Sequence, residues 1–359
     1  MQILKSIKER LSRIAIISLL MILISNNSIS SEPAALFRSD EVIRMEIRSD
    51  FFNLINDRTE NSEYQDAELK YLTADKKSLI LKIKIMTRGH FRRNPDNCSF
   101  PPLYINFKKS EVKNTVFENQ DKLKLVTPCQ GEDDLVEEYI IYKLYNRVTD
   151  MSLRVRLVKV SYYDTGAGKK LFERYSFFIE NPEQAAIRNN AGIIEKNLTP
   201  FDLDTENYKK MTIFQYLIGN VDWNVEMGRN VIFMQPDDTA KAPCVVPYDF
   251  DFSAFVNAHY TLPVGVAEDI VANRRRYIGL CFPYVQLVSV FDLYNKLRPT
   301  FETIIEKQKA IPASDRDQLL EFLNDFYTVI DDEDLAGIMI QKSCRTPDRK
   351  NPYGNRMTK

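Results

Sequence analysis

The chain has 359 residues, of which 44% are hydrophobic and 28% charged, enough for one large domain or two of ordinary size around a substantial core. That balance excludes a disordered tail, a collagen-like rod and a multispan membrane protein. Lys and Arg number 49 against 50 Asp and Glu, and a net charge of −1 gives no ground for expecting a nucleic-acid partner. The 11 Gly include neither a GxGxxG nor a GxxxxGK[ST] string, and two His speak against a His-rich zinc site and a Ser-His-Asp triad.

The N-terminus reads as an address. Lys5, Lys8, Arg10 and Arg13 precede an apolar run from Ile14 to Ile24 that only Ser18 interrupts, and Ser28 and Ser30 follow in a small-x-small arrangement. This is the pattern of a secretory signal peptide over residues 1–30, with cleavage expected after Ser30. The run is short for a bilayer span, which takes about 20 residues. A secreted or periplasmic protein without a stable membrane span after cleavage is therefore expected. All five Cys lie beyond this segment. Oxidising surroundings make disulfides the expectation, with Cys98–Cys129 the favoured pair and at least one thiol left over.

Residues 31–75 are polar and mixed, with a helix expected over Asp40–Leu54. Leu79, Leu81, Ile83 and Ile85 alternate with polar residues, the period of a half-buried strand. A Pro-interrupted stretch leads into a strand by Phe107, and "KLKLV" (Lys122–Val126) alternates again. Helical spacing and an acidic first turn predict a helix over 135–147. "RVRLVKVSYYD" and "LFERYSFFIE" read as a hairpin around Thr165–Gly168. After Pro182 the period becomes helical. An amphipathic helix is expected over 205–219, short strands over Val231–Met234 and Cys244–Val246, and helices near 284–308 and 315–329. Residues 346–359 are a polar tail. A β-rich N-lobe (31–180) and a mainly helical C-lobe (181–345) make an α+β, two-lobed chain.

The stretch from Gly219 to Phe255 carries the chemistry. It places Asp222 in a loop after a helix, Asn230 at the start of a strand, and Asp249 and Asp251 after a hairpin. Phosphoryl transfer needs one carboxylate to position the incoming hydroxyl, and an Asn and an Asp to hold Mg²⁺ against the phosphates. Mg²⁺ favours hard oxygen ligands and takes few from the protein. Asn224 is a rival to Asn230. Arg88, Arg92 and Arg93 read either as a phosphate cradle or as a solvated basic loop. Arg274–Arg276 reads as a dock for an acidic substrate or, preferably, as ion-pair formers. Trp223 reads as a loop anchor.

Asn220-x-Asp222, Asn230 and "PYDFDFS" resemble the catalytic loop and metal-binding segment of the spore coat protein H (CotH) kinase family, an atypical branch of the protein-kinase-like fold. "RVRLVKVSYYD…ERYSFFIEN" is similar to its strand pair leading into the hinge. "TRGHFRR" resembles its Arg-Gly-Asn motif, with His90 in place of Asn. The likeness spans roughly residues 80–280 and is nearest to secreted members of Bacteroidetes type. It implies ATP and Mg²⁺ as cofactors, Asp222 as catalytic base, and Asn230, Asp249 and Asp251 at the metal. Arg88 and Lys124 would contact the nucleotide, Lys124 paired with Glu138 or Glu137. The implied partners are a nucleotide and an unknown protein or small-molecule acceptor. The family's first-lobe Lys strand is replaced here by "CSFPPLYINF", which leaves open a catalytically quiet binding module of the envelope. A metal-dependent hydrolase built on Asp222, Asp249 and Asp251 is the third reading.

Overall fold

Strand periodicity in the first half of the chain resolves into seven strands that close on themselves. The computed structural model describes residues 32–57, 62–73, 75–89, 91–129, 131–256, 258 and 275–346. The signal-peptide reading, His90, His259 and Arg274 lie outside the described residues. The barrel consists of β1 (Ile43–Ser49), β2 (Gln65–Leu72), β3 (Ser78–Thr87), β4 (Leu103–Phe107), β5 (Lys122–Val126), β6 (Val155–Asp164) and β7 (Lys169–Ile179). Their order around the barrel is β1-β2-β3-β4-β5-β7-β6. Neighbours are antiparallel except β1 and β6, which pair in parallel, Ile43 opposite Val158.

The helix expected over Asp40–Leu54 is instead β1 followed by a short helix, α1 (Phe51–Asn56). Ile43, Met45 and Ile47 point into the barrel, while Arg44 is exposed and Glu46 and Arg48 are half-buried. A period of two with charged partners overrides the mixed composition that read as helix. Asp50 caps α1 by accepting the N–H of Asn53 at 3.1 Å. Leu81, Leu125 and Val158 share the one barrel core with Ile83, Ile105 and Phe178.

β2 and β3 alternate buried with exposed residues, as strands with one wet face do. β6 and the end of β7 are buried almost continuously. Helix α2 (Asp133–Val148) is the reason, since it covers their outer face. Its apolar residues belong to a core shared with Val155, Leu157 and Phe177 on one side and with the second lobe on the other.

The chain leaves β7 through Glu180 into α3 (Pro182–Arg188), where Asn181 accepts the N–H of Glu183 as N-cap. Arg188 grips Glu180 with two hydrogen bonds, at 3.1 and 3.0 Å, with both side chains buried. The lobes meet here. A three-stranded sheet follows, β8 (Ala191–Ile193), β9 (Val231–Pro236) and β10 (Cys244–Pro247), in the order β10-β9-β8. Helix α4 (Thr205–Leu217) is buried on every side from Asn207 onward rather than amphipathic, because the sheet covers one face and α5 (Val288–Glu306) another. Helices α6 (Ala313–Ile330) and α7 (Glu333–Gln341) complete the lobe; α7 escaped the sequence reading.

Cys98–Cys129 is bonded, with Cα atoms 4.6 Å apart, and a second bond joins Cys281 to Cys344. Cys244 is the free thiol. The bonds close loops of 31 and 63 residues. Chain entropy assigns each about 4 kcal/mol. Reduction should therefore lower the melting temperature markedly, and non-reducing peptide mapping should find both links with Cys244 alkylated.

Glu137 does not approach Lys124. Burial, then Asp134, Asp315 and Asp133, push its carboxyl up to about 9. A carboxyl raised in the folded state stabilises the fold below its unfolded value near 4.5, and that contribution is lost as pH rises toward 9. Glu137→Gln should accordingly raise the melting temperature at pH 8 and leave it nearly unchanged at pH 4.5, a comparison that thermal melts at the two pH values make directly.

Candidate active site

The loop from Ile218 to Asn230 is built to hold one carboxylate. Asn220 accepts the N–H of Asp222 at 2.9 Å, and its own carbonyl accepts the indole N–H of Trp223 at 3.2 Å. Trp223 is buried, an anchor as its sequence setting indicated. Asn224 is spent on the turn: its side-chain oxygen accepts the N–H of Met227 at 2.7 Å, and its backbone exchanges two hydrogen bonds with Arg229. The rival metal ligand is thus a turn residue, and the extra residues between Asp222 and Asn230 form this small excursion.

Asn230 closes the loop. Its Nδ2 donates to the carbonyl of Asp222 at 2.6 Å and to Asp222 Oδ2 at 3.0 Å. Its backbone carbonyl accepts the N–H of Tyr248 at 3.0 Å. One side chain therefore holds Asp222, and one carbonyl sets Asp249 beside it in the chain. Arg229 Nη2 lies 2.6 Å from Asp222 Oδ1. Asn230 and Asp249 both take left-handed backbone conformations, with φ of 54° and 63°. Asn and Asp tolerate that region better than other side chains, yet it still costs free energy and needs support from the surroundings. The support at Asp249 is a hydrogen bond from its N–H to Tyr142 Oη of α2, at 2.9 Å. Phe250 is buried between Tyr142 and Phe214, with ring centroids 4.8 and 6.1 Å away.

Above this turn stand α2, β5 and the loop after β3. Arg92 Nη2 is 2.7 Å from Asp251 Oδ2 and 3.5 Å from Glu138 Oε2. Burial pushes the Glu138 carboxyl up to about 8 against the pull of Arg92. Lys124 on β5 does not pair with Glu138. Its ammonium lies 5.3 Å from the centre of the Tyr248 ring, and among the described residues no carboxylate stands within ion-pair distance of it. Burial, then Arg88, lower its pKa, while Asp249 pulls the other way. Arg88 stands near the Tyr104 ring at 5.6 Å. Crowding by protein and the charge of Asp251 raise the Asp249 carboxyl, opposed by Arg92, Arg88 and Lys124. Asp249 nonetheless keeps an accessible face toward solvent, unlike Asp251 and Glu138.

The arrangement thus joins Asp222 to Asn230 and sets Asp249, Lys124, Arg88 and Arg92 in one electrostatic neighbourhood. A cavity of about 200 Å³ adjoins it, walled by Tyr104, Lys122 and Lys124 on one side and by Ile179–Glu183 of the link on the other. Asp222 and Asp251 are engaged by different guanidiniums, those of Arg229 and Arg92. Among the described residues no three His, Cys, Asp or Glu side chains gather to hold a metal ion. Arg275 belongs elsewhere: it stacks on Phe322 at 3.6 Å and donates to the carbonyls of Leu217 and Phe322. Sequence reasoning missed Tyr142 and Arg229, and it left Arg92 undecided. Tyr142 carries no polar signature in a helix of core residues, and contacts such as Arg92 with Asp251, 159 positions apart, leave no local pattern.

No family model matches the chain, and no curated protein matches it. Among solved structures, a Helicobacter pylori proinflammatory kinase, CtkA, is similar with a TM-score of 0.37 and 9% identity, over 67% of this chain and 91% of that one.

Proposed function

We propose that the cleft binds ATP with Mg²⁺ and transfers its terminal phosphoryl group to an acceptor hydroxyl outside the cytoplasm. The observation that carries this reading is the double use of Asn230, whose side chain holds Asp222 and whose carbonyl holds the strand end that presents Asp249. A base and a cation-binding carboxylate are thereby set in fixed relation, which is what phosphoryl transfer demands of a protein. Asp249 and Asn230 would hold Mg²⁺, which when bound neutralises phosphate charge. The raised Asp249 carboxyl, crowded by Asp251, gains from a cation. Lys124 and Arg88 offer positive charge to the phosphates, and the cavity beside the link offers room for the base. Asp222 orients the acceptor hydroxyl and takes its proton as the new phosphate ester forms and ADP leaves. The two disulfides and the N-terminal address support an exported protein.

One observation favours a second reading. Glu138 is taken by Arg92, and Lys124 has no acidic partner within ion-pair reach among the described residues. A kinase normally uses such a Lys–Glu pair to set the phosphates. A module that binds nucleotide without transferring phosphate would tolerate its absence. Asp249→Ala should lower Mg²⁺-dependent ATP affinity at least about tenfold. Asp222→Ala should leave affinity near that of the unsubstituted chain and slow conversion of ATP to ADP by about 10²–10⁴-fold. Calorimetric titration and ADP release measure the two effects. Unchanged affinity in Asp249→Ala rejects the site; binding without any turnover in the unsubstituted chain establishes the quiet module.

A further inference from the structure

We propose that Arg92 is a positioning residue that clamps the Asp249–Phe252 turn to helix α2, and that Asp251 serves this clamp rather than the cation. The inference deepens the proposed nucleotide site and rests on it for its ligand. Arg92, Asp251 and Glu138 come from three separate parts of the chain: the loop after β3, the turn after β10, and α2. Their side chains are only 13%, 7% and 2% exposed. The guanidinium lies 2.7 Å from Asp251 and 3.5 Å from Glu138. One nitrogen, Nη2, makes both approaches, a hydrogen bond to Asp251 and a longer ion pair to Glu138.

The neighbouring contacts point the same way. Phe91 meets Phe252 edge to face at 5.6 Å, so the residue before Arg92 and the residue after Asp251 also touch. The N–H of Asp249 is tied to Tyr142, one helical turn beyond Glu138. The turn is thus held to α2 by Tyr142 and, through Arg92, by Glu138. Asp249 alone among these acids keeps an accessible face. A carboxylate that is to meet a cation must be reachable, whereas one that braces a turn is better dry. Without Arg92, the turn after β10 would lose its side-chain link to Glu138 of α2. The turn would loosen, and the left-handed backbone at Asp249 would lose its frame.

The test uses the full chain with its disulfides intact, in the variants Arg92→Gln, Arg92→Lys, Asp251→Asn and Arg92→Gln/Asp251→Asn, titrated with ATP in Mg²⁺ and in EDTA. Arg92→Gln should weaken ATP binding in Mg²⁺ about tenfold and leave binding in EDTA within about twofold, and Arg92→Lys should recover most of the loss. The double variant should lose no more than Arg92→Gln, because both changes break one clamp. Additive losses, with Asp251→Asn acting through Mg²⁺ in the absence of Arg92, would make Asp251 a cation ligand and overturn the proposal. So would a folded Arg92→Gln chain with undiminished affinity in Mg²⁺. If the unsubstituted chain binds no ATP, the nucleotide reading fails by itself and the clamp is judged from thermal melts. Sub-additive losses of melting temperature uphold it, and additive ones reject it. If Arg92→Gln does not fold, Arg92→Lys and its double variant with Asp251→Asn supply the same comparison.

Discussion

Helix α2 has no free face to give up. Its apolar side chains pack on β6 and β7 and on α5, so the helix is the floor of one lobe and the wall of the other. A helix buried on several sides must satisfy whatever polar groups it carries from within. α2 carries two that matter, Glu138 and the Tyr142 hydroxyl. Glu138 meets the guanidinium of Arg92, from the loop after β3, as an ion pair at 3.5 Å, and the Tyr142 hydroxyl accepts the N–H of Asp249, from the turn after β10. The burial of α2 therefore dictates where the acidic turn lies, and with it where Asp249 meets solvent.

The cleft is a balance of three acids and three bases: Glu138, Asp249 and Asp251 against Arg88, Arg92 and Lys124. The members are not equivalent. Arg92 is spent inside, on Asp251 and Glu138. Lys124 lines the cavity beside the link, and Arg88 lies near the Tyr104 ring on the same wall. Burial and the charge of Asp251 raise the Asp249 carboxyl. Asp222 is held by Asn230 and Arg229, which fix its orientation.

Strands β3 and β5 and the hairpin β6–β7 were legible because period-two alternation is a local property, visible in Leu81, Ile83 and Ile85; β2 and the closure of the strands into a barrel were not. β1 was not, since its charged alternate residues, Arg44, Glu46 and Arg48, imitate a polar helix until the parallel partner β6 is known. Burial of α4 on all sides was likewise hidden. Its Lys209 reads as a polar-face residue in the sequence, yet it is buried, paired with Glu206 and set over the Phe282 ring. The Cys98–Cys129 bond could be anticipated from neighbouring strands. The Cys281–Cys344 bond could not, because 63 residues separate the two.

By itself, the sequence determined the two-lobed α+β plan, the link near Glu180, and the small set of oxygen-bearing residues from Asn220 to Asp251. Those follow from periodicity and from residue types whose chemistry is fixed whatever surrounds them. Tertiary structure alone decided their assignments. It put Asn224 into a turn and Asn230 onto Asp222, and it gave Glu138 to Arg92 instead of Lys124. The physical reason is that a charge's partner is chosen by distance and burial, and both are set by contacts between elements far apart in the chain.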